Sequence, residues 1–210
     1  VILGTTESVV DVFRRCGFAH VLLLPYPAPQ PARTASAMPF RQLLYAGAAR
    51  QDKGFKAVVD LVALLAARNE SIPVVVQTSA DHYGKFDAAT REDIARLEAL
   101  RYPPLTLIGD TPSPEAYAAN FPGGICLQPY NRSEFRDRVS GATLDALGHA
   151  CPVIATAGTW TAEVIEPFGA GIALAEPDAE SLYTAVNAVR AGYARYQAAA
   201  LSAGHARNRD

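Results

Sequence analysis

Short continuous apolar runs alternate with amphipathic stretches along most of this chain. From Phe40 onward the runs Leu43–Gly47, Pro73–Thr78, Leu105–Gly109, Gly124–Gln128, Val153–Thr156 and Gly171–Leu174 have strand length. They are apolar throughout rather than alternating, the pattern of strands covered on both faces of a parallel sheet. Between them lie predicted helices. Ala57–Arg68 spaces Val and Leu at helical period, and Thr90–Leu100 puts Ile94, Leu97 and Leu100 on one face. Ser113-Pro114-Glu115 carries an N-cap, a first-turn proline and an acid at the positive dipole end. Gly141–Ala150 and Thr161–Pro167 follow, and Asp178 opens a last helix reaching Tyr196 or beyond, ahead of an Ala-rich tail (Ala198–Asp210) expected to fray. Consecutive strand–helix units of this kind predict a doubly wound, Rossmann-like α/β domain with a parallel sheet.

The first 38 residues break this rhythm. Val1–Leu3, Ser8–Cys16 and His20–Leu24 read as strand, helix, strand. Pro25, Pro27, Pro29, Pro31 and Pro39 then fill a stretch unable to hold a helix or central strand, so we expect a linker there and a separate unit over 39–210. With no initiator Met and an apolar first residue, the chain is expected to be a piece of a larger protein.

Composition narrows the function classes. Of 210 residues, half are hydrophobic and 19% charged, the balance of an ordinary globular domain. A net charge of −2 offers no field for nucleic acid or an anionic membrane, and no apolar run has the length of a bilayer span. Cys16, Cys126 and Cys151 lack metal-ligand spacing and are expected to be buried thiols of a reducing cytoplasm.

Parallel sheets bind ligands at the carboxyl ends of their strands, which directs attention to three loops. The first, Gly47 to Gly54, presents Arg50 and Lys53 before a helix, an arrangement suited to a diphosphate or equally to a solvated surface turn. No GxGxxG signature or P-loop is present, which disfavours a nicotinamide dehydrogenase or a nucleoside-triphosphate hydrolase. The second runs from Pro129 to Gly141. Ser140 can cap the following helix, and the Gly141 and Ala142 amides would then face an anion. Asp145, one turn in, is the one acid on that apolar helix and fits either a solvent edge or a sugar diol. In the third loop Trp160 could stack on a ligand or pack its helix down.

The order of these motifs resembles the C-terminal, donor-binding domain of retaining GT-B glycosyltransferases of the group 1 (family 4) type, over roughly residues 40–190. The resemblance rests on Gly47 with Lys53-Gly54, on Tyr130 with Ser140-Gly141, on Cys151-Pro152-Val153-Ile154-Ala155, and on Gly158-Thr159-Trp160 with Glu163. It implies that Gly47, Arg50, Lys53, Gly54, Arg138, Ser140, Gly141 and Ala142 hold the donor diphosphate. It also implies that Asp145 binds the ribose, and that Asp137 or the neighbouring Glu134 serves at the reacting sugar. The chain departs from the family where Ala48 occupies the usual arginine position, two residues before Arg50, and where Asp137 and Asp145 replace glutamates.

The implied activity is transfer of a sugar from a nucleotide-diphosphate sugar to an acceptor hydroxyl with retention. It uses no cofactor, and no Asp-x-Asp metal motif occurs in these loops. The resemblance makes residues 1–25 the end of an acceptor-binding lobe whose remainder would contact the acceptor. Two alternatives stay open: a GT-B-shaped nucleotide-sugar epimerase, for which His82 and His149 would be the acid/base candidates, and a non-catalytic nucleotide-binding domain.

Overall fold

In the computed structural model, which describes residues 1–28, 38–78 and 87–207, the predicted elements form two sheets. Strands β1 (Ile2–Gly4) and β2 (Val21–Leu23) pair in parallel around helix α1 (Glu7–Arg15), which starts where the Thr6 hydroxyl accepts from the Val9 amide. The expected linker is described only at its flanks, because Pro29 and Pro31 lie outside the described residues, as does His82.

The second sheet has six parallel strands. They are β3 (Gln42–Tyr45), β4 (Val74–Gln77), β5 (Leu105–Ile108), β6 (Gly124–Gln128), β7 (Val153–Thr156) and β8 (Gly171–Leu174). Their spatial order is β5-β4-β3-β6-β7-β8, so the chain starts in the middle, winds to one edge, returns, and winds to the other. That is the doubly wound order, and it places a switch point between β3 and β6, where the two crossovers leave in opposite directions.

Helices cover both faces. On one side α2 (Phe55–Ala67), α3 (Ala88–Ala99) and α8 (Ala179–Ala191) bury Val58, Leu61, Leu97, Leu182 and Val186 against Leu43, Val74 and Ile154. On the other, α6 (Gly141–Gly148) and α7 (Trp160–Ile165) cover Leu44, Cys126, Val153 and Ala155, with α4 (Pro114–Ala118) at the margin. A one-turn helix, α5 (Arg132–Phe135), sits in the loop after β6. Side chains cap these helices where the polar pattern predicted starts: Ser113 for α4, Ser140 for α6, Asp178 for α8.

Two expectations are corrected. The described part of the Ala-rich tail is helical and belongs to α9 (Tyr193–Arg207), a helix separate from α8, which ends at Ala191 short of the expected Tyr196. Small side chains are what let it dock: Ala200 and Ala203 are buried against the α6 side, and a Cβ at Gly204 would lie 2.6 Å from the Leu147 carbonyl oxygen. Its first residue, Tyr193, belongs to the opposite core and donates to the Gly124 carbonyl at the start of β6. Helix α9 thus runs along the α6 face, from the amino end of β6 at Tyr193 to the start of α7, where Arg207 lies over the Trp160 ring. The second correction is Cys16, which is exposed at the end of α1, whereas Cys126 and Cys151 are buried.

Candidate functional site

The loop after β3 is shaped by three local constraints. Gly47, at φ +104°, donates its amide to Gln77 Oε1 at 2.9 Å, so the turn is tied to the end of β4 and this amide is already engaged. A 3-10 turn over Gln51–Lys53 follows, held to α3 by Gln51 Nε2, which donates to Asp93 Oδ2 at 3.0 Å. Gly54 then enters α2 at φ +66°, and a Cβ there would fall 1.8 Å from the Pro129 carbonyl oxygen. Gly54 is therefore required by the close approach of the β3 and β6 loops.

The loop after β6 closes onto this turn. Asn131 donates its amide to the Asp52 carbonyl at 2.8 Å and caps α5 with its side chain. Tyr130 is buried at 2% exposure, with Phe135 packed on its ring and the Lys53 ammonium 5.9 Å above it. The Tyr130 hydroxyl is buried without a hydrogen-bond partner. The Ser140 side chain lies beside it, offsetting part of the rise in its pKa that burial causes, and also caps α6 by accepting from the Thr143 amide. At Gly141 a Cβ would meet nothing within 4 Å, so the first turn of α6 opens on empty space.

Three cations gather here, two of them paired with one acid. Arg50 forms an ion pair with Asp52, and Arg138 Nη1 approaches the same Asp52 Oδ2 at 3.6 Å from the other loop. Lys53 reaches across to Gly47, where its Nζ would lie 3.3 Å from an added Cβ. Burial lowers the Lys53 pKa, the Arg50 charge lowers it further, and Asp52 only partly offsets both. The cluster therefore has an unmet demand for negative charge at the switch point, the position where doubly wound sheets take ligands.

Asp145 lies deeper on the α4 side. It accepts a hydrogen bond from the Tyr117 hydroxyl at 3.0 Å, and burial raises its pKa above the ordinary carboxylate value. Tyr117 is edge-on to Phe121, which stacks on His149 at the end of α6. Asp145 is thus a half-buried, partnered carboxyl rather than a solvent-edge acid. Glu134 and Asp137 are both exposed. Asp137 faces the N-terminal unit across a small cleft of about 190 Å³, shared with Thr5, Ser8 and Trp160. Trp160 is itself only 6% exposed and packs the core of its own face.

Sequence reasoning passed over Asp52, Tyr117, Gln77 and Arg132. Arg132 donates to the carbonyls of Ala157 and Ala175 at 2.8 and 2.6 Å, tying the loops after β7 and β8 to that after β6. Nothing in its sequence neighbourhood announces those distant carbonyls; Asp52, flanked by Arg50 and Lys53, could have been found by its position. A cleft of about 720 Å³ lies beside the cation cluster on the α2 and α8 side, lined by Lys56, Asp60, Tyr130, Arg132, Arg136 and Thr156. Two of its basic groups are engaged, Lys56 with Asp60 and Arg132 with backbone carbonyls, and Arg136 lines it as well.

No protein-family model and no curated protein matches this sequence. Solved structures do match it. Sucrose-phosphate synthase from Thermosynechococcus elongatus superposes with a TM-score of 0.71 at 20% identity, over 99% of this chain and 53% of that one. HepE of Anabaena, solved in complex with UDP and glucose, gives 0.71 at 11% identity over 100% and 58%. A trehalose-6-phosphate synthase studied for glycosyltransfer with retention gives 0.67 at 14% identity over 99% and 58%. The chain therefore has the fold of one Rossmann-like lobe of GT-B glycosyltransferases, and it spans about half the length of the proteins it matches.

Proposed function

We propose that this chain is the donor-binding half of a glycosyltransferase that uses a nucleotide-diphosphate sugar and retains anomeric configuration. The observation that carries this reading is the convergence of Arg50 and Arg138 on a single carboxylate, with the Lys53 ammonium close by and the open first turn of α6 after the same loop. A diphosphate seated there would meet the three cations and the Gly141 and Ala142 amides together. These groups are fixed before the reaction and aimed where charge grows as the sugar leaves, which is how such sites lower a barrier. The buried Tyr130 hydroxyl gains a phosphate or ribose oxygen as the partner it lacks.

Asp145 holds the ribose in this reading, with the Tyr117 hydroxyl bond fixing the shorter carboxylate. Asp137, facing residues of α1 and the turn before it, is positioned for the sugar or acceptor at the junction with the N-terminal unit. Residues 1–38 are assigned to the acceptor lobe and its connection, and 39–210 to the donor lobe.

Calorimetric titration with UDP, GDP, ADP and their common sugars tests the reading. One nucleoside diphosphate should bind, and Lys53→Ala and Arg50→Ala should each weaken it roughly 10- to 100-fold, the loss of one charge-assisted hydrogen bond. Failure of every nucleotide to bind the folded chain at millimolar concentration would leave only a shared fold.

A further inference from the structure

The carboxylate among the cations has a consequence for selectivity. Asp52 is held from both sides: its carbonyl accepts from Asn131, and its carboxylate pairs with Arg50 and Arg138. Its side chain is 21% exposed, so solvent screens these pairs only in part. Three cations and one carboxylate leave the cluster a net charge of +2. A diphosphate esterified at both ends, as in an intact sugar nucleotide, carries about two negative charges. A free nucleoside diphosphate carries about three, because its terminal phosphate is a monoester that ionises again near pH 6.

Resting on the donor-site reading, we infer that Asp52 is a specificity-determining residue. It is a resident counter-ion that occupies Arg50 and Arg138 when the site is empty and matches the site to the doubly charged sugar nucleotide rather than to the more highly charged free diphosphate. An incoming diphosphate takes over the two guanidinium groups. The third negative charge of a free diphosphate then stands against the Asp52 carboxylate at ion-pair range, in a partly desolvated loop where like charges are costly. The donor is thereby favoured over its own product, and product leaves a site that the carboxylate can reoccupy. The geometry makes the residue dispensable for the backbone, since the Asn131 bond uses the Asp52 carbonyl and not its side chain.

Asp52→Asn keeps the shape and removes the charge. Calorimetry on the whole chain should show inorganic pyrophosphate and UDP binding roughly three- to tenfold tighter to D52N than to wild type at low salt, UDP-glucose changing less, and uridine not at all. Added salt should weaken diphosphate binding more steeply in the variant. Equal or weaker binding of UDP and pyrophosphate by folded D52N, its folding checked by thermal melting, would overturn the inference while leaving the donor site standing. Wild type supplies an independent measurement: UDP-glucose should bind at least as tightly as UDP, and a tenfold or greater preference for UDP would also overturn it. If pyrophosphate binds D52N but no nucleotide binds either protein, the counter-ion stands and the nucleotide reading fails. Absence of all binding to both proteins removes the two together.

Discussion

Single residues carry most of the chemistry, and their protonation follows from burial. Asp145 has a pKa raised above that of a free carboxyl because its ionised form is partly desolvated, with the Tyr117 bond only offsetting this. A raised carboxyl pKa means the native state keeps a proton that the unfolded chain has already lost. Stability from that proton is present at low pH and is lost as pH rises through the raised value. Once ionised, Asp145 thus costs stability, because its burial disfavours the charge. Asp145→Asn, which keeps an acceptor for Tyr117, should leave the melting temperature unchanged or slightly higher. The same change should weaken a ribonucleotide by roughly tenfold through a lost charge-assisted bond, with 2′-deoxynucleotide affected less. Equal losses for both nucleotides would remove the ribose role.

Elements explain why those residues meet. The β3 loop carries Arg50 and Lys53, the β6 loop carries Arg138, and 88 positions separate Arg50 from Arg138 in the chain. They become neighbours because β3 and β6 are adjacent at the centre of the sheet. The left-handed Gly54 is the hinge of this closure, touching the Pro129 carbonyl so tightly that no side chain fits. Gly54→Ala should cost about 3 kcal/mol or more, since a positive φ and a backbone clash act together. Urea unfolding measures this, and a cost below 1 kcal/mol, of the order of a plain surface change, would mean the two loops are not pressed together in solution. Arg132 extends the same closure to the β7 and β8 loops.

The whole molecule separates stability from the site. Helix α9 covers the α6 face from the amino end of β6 to Trp160, with Tyr193 on one core and Ala200 and Ala203 on the other, while the cations gather in the loops after β3 and β6. Ending the chain after Ala191 should therefore abolish cooperative unfolding, because it strips cover from both cores. Near-UV circular dichroism and thermal melting check this, and a truncated chain that still melted cooperatively would show α9 to be an accessory. The N-terminal unit has the opposite character: Leu3, Val12, Leu22 and Leu24 lie exposed on it, and it meets the larger sheet's face of the molecule near Asp137.

Much of the fold was legible in the chain itself. The central strands β4, β6 and β7 were marked by apolar runs, because a strand buried on both faces admits no polar alternation, while the edge strands β5 and β8 are only half-buried. Helix starts were marked by Ser113, Ser140 and Asp178, because a first turn needs an acceptor for its amides. The tail after Ala198 misled, because alanine is compatible equally with a frayed end and with a helix whose backbone must approach another closely. Of the site, Arg50, Lys53 and the α6 start could be read from their local setting. The pairing of Asp52 with Arg138, the Tyr117 bond to Asp145, the Gln77 clasp on Gly47 and the lone Tyr130 hydroxyl could not. Local sequence determines which backbone conformation and which burial pattern a segment prefers. Which charges share a few ångströms is decided only when the strand order brings distant loops to one edge of the sheet.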